Sequence, residues 1–254
     1  MFALAGFALF YVCFGVYLTV FQERVVYFPD NRAFNNCPAL ADATIVVASG
    51  TRMYAKLQDG QPTAVLYHGN AGSACDRAFY TQLFTKAGYG YVLVEYAGYS
   101  NDPVPPTHAR VRQDVRNVAA WLAEQGVADV AVVGESIGTG AASYHAEIAP
   151  PSALLLIAPF TDLHAVARTR FWFYPTSLLV DNAFDNVAAL AQYTGRTHLI
   201  HGTDDTIIPY PLGRALAATL SPAATFHTIE GAGHNNLFGF SATYTAIEQF
   251  LQGE

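Results

Sequence analysis

From residue 63 onward, short apolar runs alternate with longer stretches of helical spacing. The runs are Thr63–Tyr67, Tyr91–Glu95, Val130–Val133, Ala153–Ile157, Thr197–Ile200 and Thr225–Ile229. Strands that read as continuous apolar runs are buried on both faces, and the helices between them supply the cover. Val111, Val115, Val118, Ala119 and Leu122 recur with the period of one helix face, as do Tyr244, Ile247, Phe250 and Leu251. Repeated strand–helix alternation predicts right-handed βαβ units and a three-layer α/β fold with a mostly parallel sheet. Arg24–Phe28, Ala43–Ala48 and Arg52–Leu57 contain no helical stretch, which predicts an antiparallel meander at one sheet edge. Residues 160–195 break the alternation with aromatic and proline content (Phe171, Trp172, Phe173, Tyr174, Pro175), which predicts a short helical cap over the strand ends.

The chain begins differently. No charged side chain occurs from Met1 to Gln22, and the stretch is dense in Phe, Leu, Val and Ala. A helix needs about 20 such residues to cross a bilayer, so residues 1–22 are expected to form a transmembrane anchor and residues 23–254 one domain. A cleaved signal peptide would carry a basic start and small residues before the cut; neither is present. Arg24 and Arg32 follow the span and nothing basic precedes it, which leans toward a cytoplasmic domain, although long domains cross regardless of charge. The expectation is a single-pass membrane protein with the side of its domain open.

Composition narrows the function. Apolar residues make up 52% and charged residues 13%, which excludes disorder. A formal net charge of −7 argues against a nucleic-acid partner, which needs a basic face. Cys13, Cys37 and Cys75 lack metal-ligand spacing, and at most one bridge, Cys37 to Cys75, is possible. His108, His145, His164, His198 and His227 show no paired spacing with acids or cysteines, so no metal site is expected. No cofactor is implied.

Gly134-Glu135-Ser136-Ile137-Gly138 directly follows the run Val130–Val133 and precedes a helical stretch through Ile148. A sharp strand-to-helix turn exposes its central hydroxyl, and the flanking glycines remove side-chain clashes. The following helix N-terminus directs N–H groups at developing negative charge. A serine nucleophile needs a base, and the base an orienting carboxylate. His234 in Gly231-Ala232-Gly233-His234 follows the last predicted strand, and the adjacent Asp204 and Asp205 follow the one before. Spacing gives only the aspartate pair. Oxyanion donors are expected from the Ile137 N–H and from the loop His68-Gly69-Asn70-Ala71-Gly72. That loop lacks the lysine of a phosphate-binding P-loop.

The four motifs HGNAG, GESIG, HGTDD…IP and GAGH, in that order, resemble the α/β-hydrolase superfamily from about residue 45 to the C-terminus. In detail they resemble the membrane-anchored serine hydrolases that include protein depalmitoylases and serine-aminopeptidase-like hydrolases. The resemblance implies Asp205, four residues before Pro209, as the triad acid, with Asp204 its variable neighbour. It also implies the Asn70 N–H as the loop donor. Haloalkane dehalogenases and epoxide hydrolases of this fold place aspartate at the elbow, and Ser136 argues against both; dienelactone-type enzymes place cysteine there, and Cys75 lies elsewhere.

The expected function is hydrolysis of a carboxylic ester or thioester by Ser136, His234 and Asp205, with Asn70 and Ile137 as oxyanion donors. A peptidase or amidase with the same triad, and a catalytically silent membrane-bound binding module, are the alternatives. A small-molecule or lipid-like acyl substrate is the expected partner, with the oligomeric state open. His68 and His201 read as turn residues packed under the site, and Asp181 and Asp185 as residues that cap helices or fix the cap. The aromatic run Phe171–Tyr174 reads as packing, with an acyl-binding or membrane-facing surface as the functional alternative.

Overall fold

The structure, a computed structural model, describes residues 2–181, 184–220 and 224–254. Met1 of the expected anchor and Asn182 and Ala183 of the expected cap lie outside the described residues. Helix α1 (Phe2–Val20) carries no charge and leaves Leu4, Phe7, Leu9 and Val12 exposed. Its 19 residues give a length of about 28 Å, close to the roughly 30 Å of bilayer hydrocarbon. The stretch Ala3–Val20 is long and apolar enough to cross a membrane.

The chain continues directly into α2 (Gln22–Val26) and then β1 (Phe28–Pro29). This corrects the expected edge strand at Arg24–Phe28. Gln22 Nε2 donates to the Thr19 carbonyl (3.0 Å), Glu23 accepts from the His108 N–H (3.0 Å), and the Tyr27 hydroxyl bonds His108 Nδ1 (2.7 Å). Those bonds hold the segment helical against the domain. Only Phe28–Pro29 is extended, and it pairs in parallel with Ala71–Gly72, outside the main sheet.

The main elements then follow in order. An antiparallel pair, β2 (Thr44–Ala48) and β3 (Thr51–Lys56), leads to β4 (Thr63–Tyr67), β5 (Ala71–Gly72), α3 (Tyr80–Lys86) and β6 (Gly90–Glu95). Next come α4 (His108–Glu124), β7 (Val130–Glu135), α5 (Gly138–Ile148) and β8 (Ala153–Ile157). The cap supplies α6 (Leu163–Arg170), α7 (Thr176–Leu179) and α8 (Asn186–Leu190). The chain ends with β9 (Arg196–Gly202), α9 (Tyr210–Thr219), β10 (Ala224–Ile229) and α10 (Ser241–Gln252).

The eight strands of the sheet run β10-β9-β8-β7-β4-β6-β3-β2. All pairings are parallel except β2–β3 and β3–β6. Alternate residues of β4 face opposite layers. Val65 and Tyr67 join a core with Val111, Val115 and Val118 of α4, whereas Leu66 joins one with Phe84, Ile247 and Phe250 of α3 and α10. The strand order reverses beside β4, and the loops after β4 and β7 flank the crevice such a reversal creates.

Asp162 and Asp185 cap α6 and α8, accepting from the N–H groups of Ala165 (2.8 Å) and Ala188 (2.9 Å). Asp181 instead ties the cap to the N-terminal segment through its own N–H, which donates to Gln22 Oε1 (2.7 Å). Cys37 and Cys75 are joined by a disulfide, closing a possibility that spacing left open.

Several titratable groups are buried away from the crevice. Burial pushes His145 down to about 4, and burial with His227 and Arg196 nearby pushes His198 down to about 4. Burial pushes Asp114 up to about 6. A histidine neutral in the fold but protonated near 6.5 when unfolded removes stability as pH falls from about 6.5 toward 4. Asp114 acts oppositely: its retained proton favours the fold at low pH, and that gain is lost as pH rises from about 4 to 6. The detergent-solubilised protein is therefore predicted to lose Tm between pH 7 and pH 5. Asp114→Asn should steepen that loss and His145→Gln should flatten it; parallel Tm–pH curves for all three proteins would reject the assignment.

Candidate active site

Ser136 lies between β7 and α5 with φ 56°, in the left-handed region that non-glycine residues rarely occupy. Its neighbours explain how that conformation is accommodated. A Cβ at Gly138 would stand 2.2 Å from the Tyr67 carbonyl oxygen, and one at Gly134 would stand 2.6 Å from the Gly138 oxygen. Gly138 thus lets the first turn of α5 press against the end of β4, and Gly134 lets that turn fold back against β7. The Ser136 N–H is held by the Ile157 carbonyl (2.8 Å), and its side chain looks into a crevice.

The adjacent Glu135 is clamped by Arg77. The guanidinium Nη2 lies 2.8 Å from Glu135 Oε1, and Nε lies 3.2 Å from both carboxylate oxygens. Burial opposes the Arg77 charge, but Glu135 outweighs it and raises the arginine further. A bidentate pair of this kind fixes geometry as well as charge. Position 135 lay inside the motif, yet sequence offered no signal for its partner, because Arg77 is distant along the chain.

His234 sits on the loop after β10, where the Gly233 N–H donates to Asn236 Oδ1 (2.7 Å). Its Nε2 lies 2.9 Å from Ser136 Oγ and its Nδ1 lies 2.7 Å from Asp205 Oδ2. Asp205 Oδ1 accepts from the N–H groups of Ile207 and Ile208, each at 2.8 Å. Burial pushes the Asp205 carboxyl up, but hydrogen bonds from His201, His234 and the Ile208 backbone outweigh that and hold it well below the usual range. The carboxylate accepts from Nδ1–H, which leaves Nε2 free to accept the serine proton. Asp204 is exposed and, among the described residues, its side chain accepts from the Thr203 hydroxyl (3.1 Å) and not from the imidazole, which Asp205 reaches instead.

His201 is buried, as expected of a residue under the site, but it does more than fill space. Its Nε2–H donates to the Ile208 carbonyl (2.9 Å) and lies 3.3 Å from Asp205 Oδ2, so two histidines flank one carboxylate. His68 is likewise buried, with Nδ1–H on the Gly69 carbonyl (2.7 Å) and Nε2 3.3 Å from Glu95 Oε1. Its own carbonyl accepts from the Tyr96 hydroxyl (2.9 Å). The His68 contacts to Glu95 and Tyr96 join the ends of β4 and β6, which is why periodicity did not expose them, whereas those of His201 stay between the end of β9 and the loop that follows it.

The loop after β4 is held from outside. The Asn70 carbonyl accepts from the Phe28 N–H (2.9 Å) and the Tyr99 hydroxyl (2.7 Å), and its side chain donates to the Val26 carbonyl (3.0 Å). The backbone N–H groups of Asn70 and Ile137 bond no protein group among the described residues, and both residues border the crevice beside Ser136. Among the described residues no three His, Cys, Asp or Glu side chains group as metal ligands.

Two cavities meet at Ser136. One, of about 250 Å³, is almost wholly apolar and lies under the cap, bordered by Ile137, Leu163, Phe171, Tyr174 and Leu179. Leu18, Thr19, Gln22 and Val26 of the N-terminal segment complete its wall. The other, of about 310 Å³, is more polar and is bordered by Asp76, Arg77, Glu135, His234 and Asn235.

No family model matches the chain. It is 29% identical over 244 residues to the uncharacterized protein Rv2307c of Mycobacterium tuberculosis, covering 91% of this chain and 87% of that one. It is 28% identical to the human alpha/beta hydrolase domain-containing protein 17B, over 76% of this chain and 67% of the relative. Against the lysophosphatidylserine lipase ABHD12 of Macaca fascicularis it is 28% identical over 64% of this chain, spanning 46% of that lipase. Among solved structures, an esterase from Exiguobacterium antarcticum superposes with a TM-score of 0.63 at 17% identity, over 83% of this chain and 99% of that one. The alpha/beta hydrolase MGS-M2, from a deep-sea metagenome, superposes with a TM-score of 0.64 at 15% identity, over 83% and 98%. Strand order, strand-to-helix turn and superposition agree, and the chain has the α/β-hydrolase fold.

Proposed function

We propose that this chain is a membrane-anchored serine hydrolase that cleaves a carboxylic ester or thioester. The observation that carries the reading is the continuous relay from Ser136 Oγ through His234 to Asp205, beside two N–H groups with no protein acceptor among the described residues. In this reading Ser136 attacks the acyl carbon while His234 Nε2 takes its proton. The carbonyl oxygen becomes an oxyanion, held by the N–H groups of Asn70 and Ile137. His234 then returns the proton to the leaving group, which departs as alcohol or thiol and leaves an acyl-serine. Water, activated by the same imidazole, releases the acid and restores Ser136. Asp205 stays ionised throughout and stabilises the imidazolium.

Substrate class follows from the two cavities. The apolar one suits an acyl chain and the polar one a leaving group that makes hydrogen bonds. The similarity to a lysophosphatidylserine lipase supports ester chemistry. An amide substrate would use the same relay and the same acyl cavity, and it is the lipase relative that favours the ester.

Residues 1–22 serve as the anchor and residues 23–254 as the catalytic domain. The Cys37–Cys75 disulfide favours an oxidising compartment for that domain and weighs against the lean from Arg24 and Arg32. Maleimide labelling of denatured, unreduced protein is expected to modify Cys13 alone; labelling of all three cysteines would remove this support.

A fluorophosphonate probe should label the wild type, and labelling should vanish in Ser136→Ala. Ester turnover should fall roughly 10³–10⁶-fold in Ser136→Ala and about 10²–10⁴-fold in Asp205→Asn, with Asp204→Asn unchanged. A folded wild type that resists the probe would favour a catalytically silent binding module. With a soluble ester series, kcat/KM is predicted to rise with acyl length beyond acetate; a sharp preference for acetate would rule out the apolar cavity as the acyl site.

A further inference from the structure

The cap does not merely sit over the strand ends. Tyr174 stacks on Tyr11 of α1 with ring centroids 4.3 Å apart, and its hydroxyl donates to the Tyr11 carbonyl (2.6 Å). The Tyr11 hydroxyl returns a bond to the Phe173 carbonyl (2.7 Å). Gly15 provides the notch, since a Cβ there would stand 2.9 Å from the Tyr174 ring.

That docking fixes a depth. Tyr11 precedes the end of α1 at Val20 by nine residues, about 13 Å along a helix axis. Half of the bilayer hydrocarbon is about 15 Å. If α1 occupies the bilayer, residues bonded to Tyr11 lie well inside it.

The cap tip is built for such a place. Phe171 to Val180 (FWFYPTSLLV) contains no charged residue, while the exposed Arg168 and Arg170 stand immediately before it and Asp181 immediately after. Trp172 is 78% and Leu178 82% exposed, and Phe173 is also exposed. In water, leaving such side chains bare forfeits the usual gain from burial. The backbone bonds itself, from Tyr174 to Phe171, Leu178 to Pro175 and Val180 to Thr176, at 2.9–3.0 Å. Each such bond removes an N–H and a carbonyl that hydrocarbon would leave unsatisfied. The apolar cavity that reaches Ser136 lies between this tip and the last turns of α1, with Leu18, Thr19 and Tyr174 in its wall.

We infer that the cap tip is seated in the bilayer alongside α1, and that an acyl chain passes from the hydrocarbon between them to Ser136. The substrate is then a single-chain amphiphile resident in the membrane, its polar head directed to the second cavity. The inference rests on the membrane-anchored esterase reading for the substrate, but the position of the tip can be measured without turnover.

Trp172 and Trp121 are the two tryptophans of the chain. The full chain is reconstituted in phosphatidylcholine vesicles as wild type, Trp121→Phe and Trp172→Phe. Trp172 emission, read directly or as the difference between wild type and Trp172→Phe, should be blue-shifted. It should be quenched by lipids brominated near mid-chain and resist aqueous iodide. Quenching by iodide but not by brominated lipid overturns the inference. So does resistance to both, which would mean that protein, such as a second copy, covers the tip. The double change Trp172→Ser, Leu178→Ser should lower hydrolysis of a vesicle-borne monoacyl ester at least about tenfold, equivalent to about 1.4 kcal/mol, and leave a soluble short-chain ester unaffected. Equal losses on both substrates would overturn the route. Lipid quenching in a wild type inert toward every ester would uphold the seat of the cap and count against the esterase reading instead.

Discussion

The first turn of α5 lies so close to the end of β4 that any side chain at position 138 would strike the Tyr67 and His68 carbonyls. That contact has consequences in every direction. It brings a helix N-terminus, with its unpaired N–H groups, to the edge of the sheet beside the strand reversal. It leaves Ser136 to make the turn at positive φ, a conformation that costs of order 1–3 kcal/mol and persists only where the surroundings enforce it. The enforcement is visible: Ile157 holds the Ser136 N–H, and Arg77 grips Glu135 one residue before. The opposite lip of the crevice is also held, by Phe28 and Tyr99 on the Asn70 carbonyl and by Val26 on its side-chain amide.

Around this turn the protein buries two carboxylates, Glu95 and Asp205, and half-buries a third, Glu135. A buried carboxylate is expensive unless hydrogen bonds and opposite charge compensate it. Glu135 has a guanidinium; Glu95 accepts from Ser100 (2.8 Å) and Ala74 (3.2 Å); Asp205 accepts from two backbone amides and an imidazole. The compensation for Asp205 exceeds its burial cost, and its carboxyl is held ionised. An acid fixed in that state orients the imidazole without competing for the proton that the proposed chemistry moves between His234 and Ser136.

The parallel strands were legible because burial on both faces writes itself as an unbroken apolar run, as in Ala153–Ile157. Arg24–Phe28 misled for a related reason. Val25, Val26, Tyr27 and Phe28 are strand-favouring residues, but Gln22, Glu23 and Tyr27 bond to α1 and α4, and local propensity yields to those contacts. The strand-to-helix turn could be read because its glycines and flanking elements are adjacent in the chain. Asp204 and Asp205 could not be separated by spacing, since both follow the same strand; the backbone turn through Ile207 and Ile208 points one inward and leaves the other in solvent. His201 beside Asp205, Arg77 beside Glu135 and Tyr174 on Tyr11 join residues 4, 58 and 163 positions apart, and only the first is within reach of any local pattern.

An acyl hydrolase must bring together two reactants that prefer opposite media, a hydrocarbon chain and water. The two cavities at Ser136 divide them. The apolar one is walled by the cap and the N-terminal helix, and the polar one carries Arg77, Glu135 and Asn235 together with His234. On the proposed reading, the acyl chain and the hydrolytic water approach the same carbon from different sides, with the imidazole facing the water. An anchor joined to its domain by a long flexible linker would hold the chain near a membrane but could not contribute this wall. Here α1 runs into α2 within two residues, and Gln22 bonds to both α1 and the cap. On the same proposed reading, the absence of a polar linker between these helices serves the site: it keeps one wall of the apolar cavity in register with Ser136.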